Sequence, residues 1–486
     1  MATSPAVVVR PAIGLDRHWS VSSTSAAAVG WLLLATVLQL LRSPGVPAWR
    51  AVFGEDGGIF LTDSVAHNTI GTIGTPYQGY LQVAPRLVSA AAAALPVDAA
   101  AVVLAGIPAA VVAALSLYVF HASAAVFRQR ASRAALAVLI VALPVGYDIN
   151  ASATNLHWYL DFACCWVFLT PRRDRMVIAE CLVVGLAALS DPLVALALPL
   201  AISQLVRPRR GHMLGGAADR AAARRSRVVV GVFAIALAAQ AAVVLFRQAP
   251  SPFVRLDASQ LPEIYGLRVA GSLLVGDRFL PHLVQAVGSA AVAVVAGVAV
   301  LALLLATARY GTARYDSARP DSPRRARLLV LGGLSLAWLV VPLVLRGTAT
   351  LLDTPAPPLP GSRYIVNPLL WLAGALLLAV ESSPARGRGR RPSAQTPAFL
   401  LGLVLVVGLL SSYRLPAQRS DGPVWSDSLT AARAVCFATG DRPAQQGRSA
   451  ESPWGRAAGP GDVLIPVAPN APQPRWSVTM PCVRLH

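Results

Sequence analysis

Apolar residues do not alternate along this chain. They come in unbroken blocks of Ala, Val and Leu separated by short polar breaks. Several blocks reach the roughly 18–20 residues that a helix needs to cross about 30 Å of hydrocarbon. Lipid offers the backbone no hydrogen-bond partner, so such blocks must satisfy themselves as helices. The pattern predicts an all-α polytopic membrane protein with about 11 transmembrane helices between residues 26 and 412. Blocks 26–41, 134–146, 156–170, 228–246, 283–307, 328–345, 365–380 and 398–412 read as single spans. Region 87–121, interrupted by Pro96 and Asp98, reads as a short lipid-facing helix followed by a span, and 176–206 as a helix pair hinged at Asp191-Pro192.

Composition agrees with the blocks. Of 486 residues 55% are hydrophobic and only 13% charged, too few to cover a soluble protein of this length. The net charge of +19 would suit nucleic acid, but its distribution points elsewhere. Every basic residue is Arg, and the Arg clusters fall at 128–133, 172–175, 207–227, 309–327 and 386–391, in breaks between apolar blocks. That is the positive-inside pattern, so the expected partner is a lipid bilayer and no nucleic acid. It places residues 1–25 in the cytoplasm, loop 43–85 outside, and residues 413–486 outside as a small extracytoplasmic C-terminal domain. No cleavable signal sequence is expected, since block 26–41 has no cleavage site after it. An all-Arg, Ala-rich chain fits a GC-rich genome. In the tail, 462–467 and 475–482 alternate like short strands, and an extracytoplasmic tail favours a disulfide between Cys436 and Cys482.

Candidate chemistry gathers in the outer breaks. Loop 43–85 carries Val52-Phe-Gly-Glu-Asp-Gly-Gly-Ile-Phe60, with two adjacent carboxylates, Glu55 and Asp56, between glycines. Glycines permit tight turns and close approach of a ligand, and a carboxylate there can act as a base or hold a divalent ion such as Mg or Mn. A solvated turn is the plainer alternative for the acidic pair alone. Residues 59–66, with Asp63 embedded, read as interfacial helix, and Arg86 opens the next apolar region as a phosphate ligand or a snorkelling side chain. A second constellation is Tyr147-Asp-Ile-Asn150 with Asn155-Leu-His-Trp-Tyr159; His157 and Asp161, four apart, share a helix face. Asp191 at the hinge is a third polar point, and Arg363-Tyr364 at the start of a late span a fourth, Arg being suited to gripping phosphate.

With these residues the chain resembles the GT-C superfamily of membrane glycosyltransferases, in particular its actinobacterial multi-span members. The resemblance rests on the acidic pair Glu55-Asp56, the interfacial helices after it, and Arg363-Tyr364. It implies a polyprenyl-phosphate sugar donor, a glycan or lipid acceptor of the cell envelope, and an acidic base in the first outer loop. Asp56 is then the leading base and Glu55 the second, with Arg363 and Arg86 facing the lipid phosphate. No metal-ligand cluster beyond the acidic pair is evident, so cofactor use stays open between none and a divalent ion. Two other readings compete: a transporter or flippase of a lipid-linked or small polar substrate, and a non-catalytic envelope-assembly protein. The absence of a fixed-period repeat weighs against an inverted-repeat transporter, and the absence of a Walker motif against an ATP-driven pump.

Overall fold

The computed structural model describes residues 21–67, 71–145, 149–170, 176–206, 217–246, 257–312, 322–346, 351–355, 359–381, 396–439, 459, 461–469 and 476–485. Tyr147-Asp148, Arg475 and most of the Arg clusters, at 172–175, 207–216, 313–321 and 386–391, lie outside the described residues.

The long apolar blocks are helices. In chain order they are α1 (Val21–Leu40), α2 (Thr62–Ala66), α3 (Val83–Ala93), α4 (Ala100–Ala122), α5 (Arg130–Val141), α6 (His157–Leu169), α7 (Val177–Ala188) and α8 (Leu198–Val206). There follow α9 (Ala217–Phe246), α10 (Leu261–Ile264), α11 (Ser272–Val287), α12 (Ser289–Thr312), α13 (Ser322–Arg346), α14 (Val366–Val380), α15 (Thr396–Ser412) and α16 (Trp425–Thr439). Among the described residues four helical stretches, Val97–Ala125, Ala223–Phe246, Arg324–Leu345 and Ser362–Val380, are long and apolar enough to cross a membrane. The other apolar blocks give shorter helices, so the structure supports a mostly helical membrane protein without fixing the span count at 11.

Burial sorts the helices. The α14 stretch is 83% buried and runs through the centre, where Trp371 stacks on Trp166 of α6 at 5.7 Å and Phe162 meets the same ring at 4.5 Å. The α9 stretch is only 22% buried, and Ile235 on it, with Val295, Leu329 and Leu410 on α12, α13 and α15, turns outward. Bare apolar faces of that kind on long apolar helices are stable only against lipid.

Stretch 247–282 lies between two blocks read as spans, but from Leu261 it is itself helical: α10, a π-helical turn Tyr265–Gly271, and α11. Its breakers mislead because they kink rather than end the element: Gly276 at φ +73° bends α11, and Pro281 sits inside it. Residues 56–66 differ as well. They form a π-helical turn, Asp56–Leu61, running into α2, but Asp56 to Thr62 are buried and do not lie on a membrane surface.

The tail covers them. Strands β1 (Asp462–Pro466) and β2 (Ser477–Pro481) pair antiparallel with Val463 opposite Met480 and Ile465 opposite Val478. These four side chains are buried with Leu61, Val88 and Trp425, so tail and first loop share one core. The Thr479 N–H donates to the Thr62 hydroxyl at 3.1 Å, and Ala468 N–H to the Val52 carbonyl at 3.0 Å. Cys436 at the end of α16 is bonded to Cys482 after β2.

Candidate functional site

The glycines of the first loop serve the tail rather than a ligand. A Cβ on Gly57 would lie 2.5 Å from Val52 and 3.0 Å from Val478, and one on Gly58 would lie 2.7 Å from the Trp476 ring. Only a residue with no side chain lets β2 settle on this turn.

Asp56 points inward from the turn and is 1% exposed. Its carboxylate accepts the backbone N–H of Ala153 at 3.0 Å and of Thr154 at 2.7 Å, together with the Thr154 hydroxyl, while the Ser152 hydroxyl stands at 3.5 Å. Burial pushes the Asp56 carboxyl above its usual range; the Thr154 hydroxyl, the Arg419 charge and the two amides oppose that rise. Arg419, from the tail, is itself buried; it donates to the Ala151 carbonyl at 3.1 Å and sits 5.0 Å over the Phe53 ring. Burial pulls its guanidinium down to about 10 against the pull of Asp56. Asp56 therefore ties the first loop, the 151–154 turn and the tail into one body.

Glu55, one residue earlier, faces the other way and is half-buried. The Tyr77 hydroxyl donates to its Oε1 at 3.4 Å, and burial together with the Glu55 charge raises Tyr77 above the ordinary phenol range. Tyr77 also lies within electrostatic reach of Arg363, which opposes that shift, and its ring meets Phe60 edge-on at 5.5 Å.

Arg363, half-buried at the start of α14, links this pair to the next. Its guanidinium stands 5.6 Å over Tyr364 and within electrostatic range of the His157 imidazole. His157 Nε2 lies 3.3 Å from Asp191 Oδ2, and Nδ1 lies 2.8 Å from the Thr154 carbonyl. Both ring nitrogens thus face oxygens that fix the ring plane. Asp191 uses its other oxygen to cap the turn after it, accepting Leu193 N–H at 2.8 Å, which explains why Asp-Pro marks the hinge. Trp158 meets Tyr364 edge-on at 5.8 Å and closes the wall.

Arg86 is 1% exposed, bound to Asp63 at 3.1 Å and stacked over Phe60 at 5.3 Å. Its charge holds α2 against α3. Of the residues singled out in the sequence, Glu55, His157, Asp191, Arg363 and Tyr364 converge, while Asp56 and Arg86 lie beneath them as braces. Tyr77, Thr154 and Arg419 were not legible as site residues, because their roles arise from contacts across the chain that no local pattern signals.

Among the described residues no three His, Cys, Asp or Glu side chains converge as an ion site. The oxygens of Asp56 already face four donors, so the acidic pair does not offer two carboxylates to one ion.

No protein-family model and no curated protein matches the chain. A solved oligosaccharyltransferase from Archaeoglobus fulgidus, described in complex with zinc and sulfate, aligns over 83% of this chain and 55% of its own. The chain thus spans about half the length of that protein, at 15% identity and a TM-score of 0.39, a similarity too low to assign a shared fold.

Proposed function

We propose that the protein is a membrane glycosyltransferase that moves a sugar from a polyprenyl-phosphate donor to a cell-envelope acceptor on the extracytoplasmic face. The observation that carries this reading is the Glu55 carboxylate bonded to the Tyr77 hydroxyl, with the half-buried Arg363 guanidinium within electrostatic reach both of Tyr77 and of His157 in the buried His157–Asp191 pair. Glu55 takes the role of base in preference to Asp56, since a base must reach the proton it removes and Asp56 is already saturated with donors. The acceptor oxygen forms its bond to the anomeric carbon while its proton passes to Glu55. The bond from that carbon to the phosphate oxygen breaks, and the leaving phosphate keeps the electron pair. Arg363 meets the charge that develops there, as a fixed guanidinium does best. Tyr77 and His157 orient the two carboxylate-bearing edges.

Purified protein in lipid would be given labelled polyprenyl-phosphate sugars, with Glu55→Gln, Arg363→Ala and Asp56→Asn beside wild type. Loss of transfer on Glu55→Gln with donor binding and melting temperature kept supports the reading. Transfer undiminished by Glu55→Gln removes Glu55 as base, and wild-type protein inert to every donor removes the transferase reading. A transporter reading is favoured by one feature: Asp161, fully buried in α6 within electrostatic reach of Asp191, carries polar groups inward from the site. Substrate uptake into proteoliposomes, lost on Asp161→Asn, would support it.

A further inference from the structure

We propose that the disulfide-bonded corner of the tail dips into the bilayer surface and holds one anionic phospholipid, with the glycerol-proximal part of an acyl chain in a cavity beneath it and the phosphate on Arg484. The cavity, about 250 Å³, lies between α2, α3, the start of α4 and the segment after β2. Its walls include Leu61, Val65, Ala92, Leu95, Met480 and Val483, all apolar. Small-molecule sites commonly run about 300–1,000 Å³, so the space suits the first few carbons of an acyl chain better than a whole headgroup.

Position identifies the occupant. Val97 and Ala100, also in the wall, open a stretch long and apolar enough to cross a membrane, so the cavity lies at the depth where hydrocarbon gives way to headgroups. Leu87, Leu95 and Val102, around the α3–α4 corner, are exposed and continue the apolar surface into the cavity mouth. On the tail side, Phe437 and Val483 are the neighbours of the bonded cysteines Cys436 and Cys482, and they are 84% and 79% exposed. Two large apolar side chains this bare on an extramembrane segment are unfavourable in water and favourable in an interface.

Charge identifies the headgroup. Arg484 is exposed at the cavity edge; its Nη1 donates to the Ala93 carbonyl at 2.9 Å, and among the described residues no carboxylate pairs with it. The neighbouring Arg433 is already matched by Asp98 at 2.8 Å. A guanidinium held by one edge and open on the other presents its remaining donors to a phosphate.

The test uses full-length protein in nanodiscs of phosphatidylglycerol or phosphatidylcholine doped with a phospholipid bearing a diazirine on an acyl chain close to the glycerol. Labelled peptides are mapped by mass spectrometry. The expected label falls on 92–100 and 480–484, is stronger in phosphatidylglycerol, and drops about fivefold in Arg484→Glu while Arg484→Lys keeps most of it. Ala100→Phe, which fills the cavity, removes label from these peptides and leaves it on α12 and α15. Label confined to the outer helices of wild type overturns the proposal, as does label here that polyprenyl phosphate displaces and phosphatidylglycerol does not.

Discussion

Arg419 and Asp56 are buried within electrostatic reach of one another, so the tail supplies the counter-charge of the first loop. Removing one partner of such a pair strands the other charge without water. Asp56→Ala is expected to cost about 3–5 kcal/mol. Arg419→Met in the same chain should restore part of that loss, so a double-mutant cycle of thermal melts in detergent should show coupling above about 0.5 kcal/mol. Additive losses would remove the pairing.

Gly58→Ala should loosen the tail without touching Glu55. The new methyl would fall 2.7 Å from the Trp476 ring, and overpacking of this kind costs about 1–3 kcal/mol. Limited proteolysis should cut within the described strand segments 461–469 and 476–485 faster in this variant, and the tryptophan emission should shift to the red. Unchanged cleavage would mean that β2 does not press on the turn.

In the folded protein Tyr77 holds its proton to higher pH than in the unfolded chain, where phenols ionise near 10. Over that window the folded state binds more protons, so the stability tied to Tyr77 is complete below pH 10 and is lost as pH rises above it. Between pH 9 and 11 the melting temperature should therefore fall more steeply for wild type than for Tyr77→Phe. Parallel slopes would mean that the hydroxyl is open to water.

Gln240, buried in α9, gives its side-chain amide to both backbone groups of Leu81, accepting its N–H at 2.9 Å and donating to its carbonyl at 3.2 Å. Gln240→Leu leaves both groups buried and unpaired, at about 1–3 kcal/mol each. Chemical denaturation should show the loss, and Gln240→Glu should retain the half that accepts.

The sequence made the helical blocks legible because period and length are local properties; α7, α13, α14 and α15 lie close to where their apolar runs do, whereas α9 begins 11 residues ahead of block 228–246. The convergence of Glu55, His157, Asp191 and Arg363 was visible only as a shared side, since distance between segments is not encoded in spacing. Which of the two acids turns inward was not legible either. Glu55 and Asp56 are adjacent and chemically alike, and the choice is made by the amides of residues 153 and 154. The glycines pointed to close approach correctly in kind, but the body that approaches is the chain's own end.

Thr62 meets Thr479 across 417 residues of sequence. A ribosome adding about 5–20 residues per second leaves roughly 20–80 seconds between their synthesis. For that interval the turn bearing Glu55 has no lid, and for most of it Asp56 has no Arg419. The proposed catalytic centre is therefore among the last parts of the molecule to exist, and a truncated nascent chain could insert into the bilayer while remaining incapable of chemistry.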